Sequence, residues 1–351
     1  MVCCPPQRKT MRADCRSQGR AGYTIMDLIV ALAIVSLLVS LLLPAIERSR
    51  EAARKLLCQS NQKQICLAVA NFAEAQNRLP NVDALPLTTL PGGLPTSSSI
   101  SIQALLLPYL DQMPLFQQIR LDEYLLGYSV TGISSKLNST LLKTSVPLFQ
   151  CPSDGVPAGG CSYVFSSGTS PGLHTNYDMP IEEAASTGYV GHLMNQHARF
   201  TDGLSQTVIL SERLVGDLNL ARYTPVRDHA YHQGFNGFSA GTAAASCASV
   251  TNPPAGHFSY EGTCWLARGH GYTWYNHILT PNSRTPDCSD SRVLGGNTLG
   301  CHTARSAHFG GVIAGLGDGS VRFISSEIDT HVWRALGTSH GNEVLTAGGD
   351  P

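Results

Sequence analysis

The chain has 351 residues, a net charge of −1 and only 14% charged side chains, so no basic field marks it for nucleic acid. Its 34 glycines and 20 prolines crowd the part beyond residue 79, which argues for short strands and turns and against a helical bundle. That part is long enough to bury a core of its own, as one large domain or two small ones.

The first 22 residues hold Arg8, Lys9, Arg12, Arg16 and Arg20 against one acid, Asp14. A basic stretch ahead of an apolar one stays on the cytoplasmic side. Leu28 to Ile46 follows, 19 residues without a charge. As a helix it spans roughly 28 Å, about the thickness of a bilayer's hydrocarbon core. A cleaved secretory signal has a shorter apolar core and a small-x-small site. Here the run ends in Pro44-Ala45-Ile46-Glu47-Arg48, without such a pair.

The residues around Gly22 add detail. Gly22 is followed by Tyr23-Thr24-Ile25-Met26-Asp27-Leu28, which resembles the site cut by prepilin peptidase. The resemblance implies cleavage between Gly22 and Tyr23 and methylation of Tyr23. It makes Asp27 the assembly acid, where the pilin pattern usually has glutamate. A carboxylate at membrane depth requires a cationic partner, and a neighbouring subunit's N-terminal amine supplies one. Pro44 stands where pilin helices carry a kinking proline.

The helix continues through Glu47–Lys55, rich in helix formers. Ala53, Leu57, Ile65, Ala68, Val69 and Phe72 form one apolar stripe, expected to dock its outer half on the globular domain. Asn77-Arg78-Leu79-Pro80 ends the helix, and residues 80–99 read as a Pro/Gly/Ser/Thr linker. Ala104–Gln112 and Leu115–Ile119 read as short helices. Val146–Gly155 reads as a strand ending in an ordinary Ser153-Asp154-Gly155 turn. Val208-Ile209-Leu210 is a buried strand, and Asp202 and Glu212 beside it read as a turn acid and a strand-end acid more plainly than as metal ligands.

Residues 229–301 mix glycines with Tyr231, Phe235, Phe238, Trp265, Tyr272, Trp274 and Tyr275, and with His229, His232, His257, His270 and His277. The aromatics either fill a loop-rich core or line a ligand groove. His229-x-x-His232 alone is a weak metal signal, and no H-E-x-x-H occurs. Asp318-Gly319 between two apolar runs is a hairpin signal. His308 stands at its entry, and a His308–Asp318 catalytic pair lacks an accompanying nucleophile motif.

Of the 11 cysteines, eight follow the apolar run, which suits an oxidising compartment. No C-x-x-C pair occurs, so metal binding by cysteine is not expected. Short loops favour Cys151–Cys161 and Cys288–Cys301 as disulfides; alternatively Cys58 joins Cys151 and ties helix to domain.

The stretches LLLPAIERSREAARKLLCQSNQKQICLAVANF, LLLPYLDQMPLF, PLFQCPSDG, FTDGLSQTVILSER and His308–Ile324 occur in this order. Together they resemble the bacterial family called domain of unknown function 1559. Its C-terminal motif is a histidine, nine residues, then Asp-Gly, here His308 and Asp318-Gly319. Cys66 departs from the small residue usual there. The resemblance implies an α+β fold: a long N-terminal helix, membrane-spanning in its first half, on a loop-rich, mainly β domain. It implies no catalytic activity.

The expected organisation is a basic leader (1–22), a pilin-like helix (23–77) and an extracytoplasmic globular domain (78–351). The expected protein is a pseudopilin-like subunit of a type II secretion or type IV pilus-like filament. It is single-pass in the bacterial inner membrane with its N-terminus cytoplasmic, and it uses no cofactor or metal. Its partners are prepilin peptidase, the lipid bilayer, and like subunits or other pseudopilins. The alternative is a monomeric anchored module binding a glycan or solute through the aromatic loops.

Overall fold

The computed structural model describes residues 25–80, 88–89, 95–96, 100–119, 141–155, 157–171, 200–237, 239–251, 254, 256–290, 299–339 and 341. Gly22, Tyr23 and the rest of the leader lie outside them, as does Phe238. The chain divides into two compact units, Met1–Arg50 and Glu51–Pro351.

In the first unit, helix α1 (Ile25–Gln76 in full) begins. Every residue from Ile25 to Arg50 is exposed, Asp27 and Pro44 included. This stretch is apolar and long enough to cross a membrane. Ser36 and Ser40 do not interrupt it. Each hydroxyl donates to a carbonyl one turn back, Ala33 O at 2.9 Å and Leu37 O at 2.7 Å, so neither needs water.

In the second unit, α1 continues to Gln76, and Asn77 ends it with φ of 51°. Its buried face is Cys58, Asn61, Gln62, Ile65, Cys66, Ala68, Val69, Phe72 and Ala73. The outer half of the expected stripe, Ile65 to Phe72, docks as expected, and Ala53 and Leu57 of its inner half are exposed. Cys58, Asn61 and Gln62 take their place because this part of the helix faces polar groups of the domain. Gln62 Nε2 donates to Ile313 O at 3.0 Å, and Asn61 Nδ2 to Tyr163 Oη at 3.4 Å. A hydropathy pattern reads such polar residues as solvent-facing.

Beyond α1, β1 (Thr88–Thr89) and β2 (Pro95–Thr96) pair antiparallel. Short helical turns follow at Ile102–Leu106, Leu107–Leu110 and Met113–Phe116, as expected. The strand expected across Val146–Gly155 is instead a 3-10 turn, Pro147–Phe149, then a non-helical turn. Pro147 at its start has no N–H to give a ladder, and its fixed φ suits a helical first turn.

Two sheets organise the rest. One uses β3 (Tyr163–Ser166), β4 (Val208–Glu212), β7 (Trp274–Tyr275), β10 (Gly311–Leu316) and β11 (Val321–Ser325), in the order β11-β10-β4-β3-β7. Only the β3/β7 pair is parallel. The other uses β5 (His229–Tyr231), β6 (His257–Phe258), β8 (Asp287–Ser289) and β9 (Gly300–Cys301), in the order β6-β5-β8-β9. The fold is α+β, with mixed sheets.

Side-chain alternation along β10 sorts its two faces. Val312, Ala314 and Leu316 pack with Val164, Val208 and Trp333. Ile313 points the other way, into the cluster holding Ile65, Val69 and Phe72 of α1. Gly315 shares that face because Cys66 comes so close; a Cβ there would overlap Cys66 Sγ. The Asp318-Gly319 hairpin forms as expected, with Gly319 at φ of 80°. Lys63 of α1 donates to Gly319 O at 2.6 Å and holds the turn.

Trp265, Trp274 and Tyr275 are at most 1% exposed and Tyr272 is 9% exposed, so these aromatics fill the core. Asp154 is not an ordinary turn acid either. It is buried, 2.8 Å from Arg227, and accepts from Val215 N at 3.0 Å.

Candidate functional site

Four ligand-type side chains converge inside the second unit. Cys58 comes from α1, Cys151 from the turn after Pro147–Phe149, Glu212 from the end of β4 and His308 from the residues leading into β10. All four are at most 4% exposed, and their ligand atoms lie within 4.8 Å of one another. Cys151 Sγ is 3.6 Å from His308 Nε2, and that nitrogen is 3.7 Å from Glu212 Oε1.

Neighbours fix the orientation of each group. His308 Nδ1 lies 2.7 Å from Glu51 Oε1 and donates to it, which leaves Nε2 facing Cys151 and Glu212. Both Glu51 oxygens accept from Ser153 Oγ at 3.1 Å, and Arg54 lies 3.5 Å away. Glu212 Oε2 accepts from Ile313 N at 2.8 Å, while the buried Oε1 has no hydrogen bond.

Burial dominates the electrostatics. It pushes the Glu212 carboxyl up to about 7, against the lowering effect of the Ile313 N–H. Contact with Cys58 and burial raise the Cys151 thiol far above its ordinary range. Burial also acts to lower His308, but Cys151, Glu212 and Glu51 outweigh it and raise the imidazole to about 9.

A second group lies at the other side of Glu212's neighbour in sequence, Arg213. His229 Nδ1 is 3.0 Å and His302 Nδ1 3.4 Å from Glu261 Oε1, although neither contact has good hydrogen-bond geometry. Burial would raise Glu261, but Arg213 and His229 hold it well below the usual carboxylate range. His302 stacks between His229 and His270, with centroids 4.6 Å apart on each side and interplanar angles of 12° and 16°. A metal must lie in the plane of each ring it ligates, so two nearly parallel stacked imidazoles cannot share one. With Arg213 alongside, this group reads as a buried ionic network of the core.

The structure thus gathers Cys58, Cys151 and His308, and separates other residues singled out in the sequence. Asp318 sits beyond the far end of β10, whose six residues span roughly 20 Å, so it forms no pair with His308. It accepts instead from Ser320 N at 2.8 Å in the hairpin turn. The disulfide joins Cys247 to Cys288, not Cys288 to Cys301. Cys301 faces Cys288 across β8 and β9 as a free thiol. Cys151 and Cys161 are likewise free, and Cys161 Sγ donates to Tyr163 O at 3.0 Å. Cys58 and Cys151 are neighbours without being bonded. His232 is not among the groups placed for metal ligation.

Glu51 and Glu261 carry no local signal in the sequence. Glu212 has one: it is a charge directly following the apolar Val208-Ile209-Leu210 run, where burial of the strand carries it inward. A model of the family described as a protein of unknown function, DUF1559, matches residues 47–331. No curated protein and no solved structure matches the chain.

Proposed function

The chain belongs to the DUF1559 family, and on that premise we propose that it is a pilin- or pseudopilin-like subunit anchored in the bacterial inner membrane. In this reading prepilin peptidase cuts after Gly22, and residues 25–50 hold the protein in the bilayer and against like subunits. Residues 78–351 stand outside the cytoplasm. The protein serves structurally, in a type II secretion or type IV pilus-like filament, without catalysis of its own.

The observation that carries this reading is the exposed apolar stretch of α1. Ile25, Leu28, Leu32, Leu38 and Leu41 are each more than half exposed, and no part of the spanning window is buried. Such a surface needs lipid or another helix as its partner. The basic leader supports a cytoplasmic N-terminus, and the Cys247–Cys288 disulfide supports an oxidising compartment for the domain. Burial of Trp265, Trp274 and Tyr275 takes three of the aromatics away from the surface a glycan- or solute-binding groove would use, which favours the structural reading.

The test uses the full chain in its membrane, with a photo-crosslinking residue in place of Leu38. The expected result is retention in the membrane after alkaline extraction and a ladder of crosslinked multimers. Asp27→Ala should erase the ladder and leave the membrane retention. Release into the soluble fraction, or a monomer alone after irradiation, would overturn the proposal.

A further inference from the structure

We propose that Cys58, Cys151, Glu212 and His308 form a structural four-coordinate site for a divalent cation of the zinc class, with Glu51 as the positioning carboxylate of His308.

The ligand set has the right chemistry. Two thiols and one imidazole are soft or borderline donors, and one carboxylate completes four, a set suited to zinc and poorly suited to magnesium or calcium. The spacing fits as well. Zinc bonds of about 2.3 Å to sulfur and about 2.0 Å to nitrogen or oxygen give tetrahedral edges of roughly 3.3–3.8 Å. The two edges from His308 Nε2 are 3.6 Å to Cys151 Sγ and 3.7 Å to Glu212 Oε1. The remaining ligand atoms lie within 4.8 Å, so small side-chain rotations close the set.

Two further features point to a cation. Glu212 Oε1 is buried without a hydrogen bond, 3.7 Å from His308 Nε2 and within 4.8 Å of the other ligand atoms, while its partner oxygen is held by Ile313 N–H. His308 has the carboxylate–histidine arrangement typical of metal ligands: Glu51 Oε1 accepts from Nδ1–H at 2.7 Å, which presents Nε2 to the site. All four positions come from protein, so no open place remains for a substrate, and the site is structural. Its ligands tie α1 to the turn after Phe149, to β4 and to the entry of β10.

The full chain, purified in detergent, is stripped with chelator under reducing conditions and titrated with cobalt(II) and with zinc. One equivalent of cobalt should give thiolate charge-transfer absorption and the intense visible bands of a tetrahedral centre, and one equivalent of zinc should abolish them. Cys151→Ser should lose the charge-transfer band, and Cys264→Ser, a buried thiol outside the cluster, should keep it. Zinc should raise the melting temperature of the unmutated protein, a readout that does not depend on any variant folding. Glu51→Gln should weaken cobalt affinity roughly 10–100-fold and shift its pH profile, whatever change in metal-free melting temperature the loss of its own contacts brings. Failure of the unmutated chain to bind either metal would overturn the proposal. So would a Cys58–Cys151 disulfide in peptide maps of the native protein, or cobalt spectra unaltered by Cys151→Ser.

Discussion

Gly315→Ala tests how α1 packs on the central sheet. A methyl at this position would overlap Cys66 Sγ, whereas its next neighbour, Leu210 Cβ, stands at an ordinary 3.4 Å. Cys66 is 2% exposed, so its sulfur has little room to retreat. Overpacking of this kind costs about 1–3 kcal/mol. In a unit of this size that is roughly 2–5 °C in melting temperature. Cys66→Ala removes the sulfur and opens the space, so the double variant should recover about 1–2 kcal/mol relative to additivity. Trp265, Trp274 and Trp333 are all buried in the second unit, which makes tryptophan fluorescence a fitting probe of denaturant unfolding. Strict additivity of the two changes would refute direct contact between these positions.

Three further outcomes follow from other parts of the domain. Burial lowers His277 to about 3, against the Trp333 carbonyl that accepts from its Nδ1 at 2.9 Å. Its folded pKa lies below its unfolded one, so stability falls as pH drops below about 6.5, by as much as about 5 kcal/mol near pH 3. His277→Asn should therefore show a shallower loss of stability between neutral and acid pH in denaturant titrations, and an unchanged slope would contradict the buried neutral imidazole. Replacing both Cys247 and Cys288 by serine opens a loop of 41 residues and should cost about 4 kcal/mol, read as a fall in the denaturation midpoint under non-reducing conditions. Asp154→Asn leaves the Arg227 guanidinium, 2.8 Å away, without its buried carboxylate and should cost about 3 kcal/mol, measured the same way.

Features with local signals are legible in the sequence. The uncharged run defines the apolar part of α1, Asp318-Gly319 defines the hairpin, and Val208-Ile209-Leu210 defines a buried strand. The outer face of α1 is only half legible, because Asn61 and Gln62 are buried by hydrogen bonds that no hydropathy pattern contains. The cysteine–glutamate–histidine cluster is hidden for a different reason. Its members come from α1, a turn, β4 and the approach to β10, and only the packing of these elements brings them together. The absence of a C-x-x-C pair therefore says little about whether cysteines meet in space. The Cys247–Cys288 disulfide is hidden on the same ground: short loops favour Cys151–Cys161 and Cys288–Cys301, while the fold sets Cys247, in the helix Ala240–Ala248, against Cys288 on β8.

The proposed function requires α1 to be a processed pilin-type segment and not simply a leader or an anchor. Mass spectrometry of the mature N-terminus, on protein from its native membrane, tests it most directly. The account predicts a chain beginning at N-methylated Tyr23. A mature protein retaining residues 1–22, or one beginning beyond the apolar run, would contradict it.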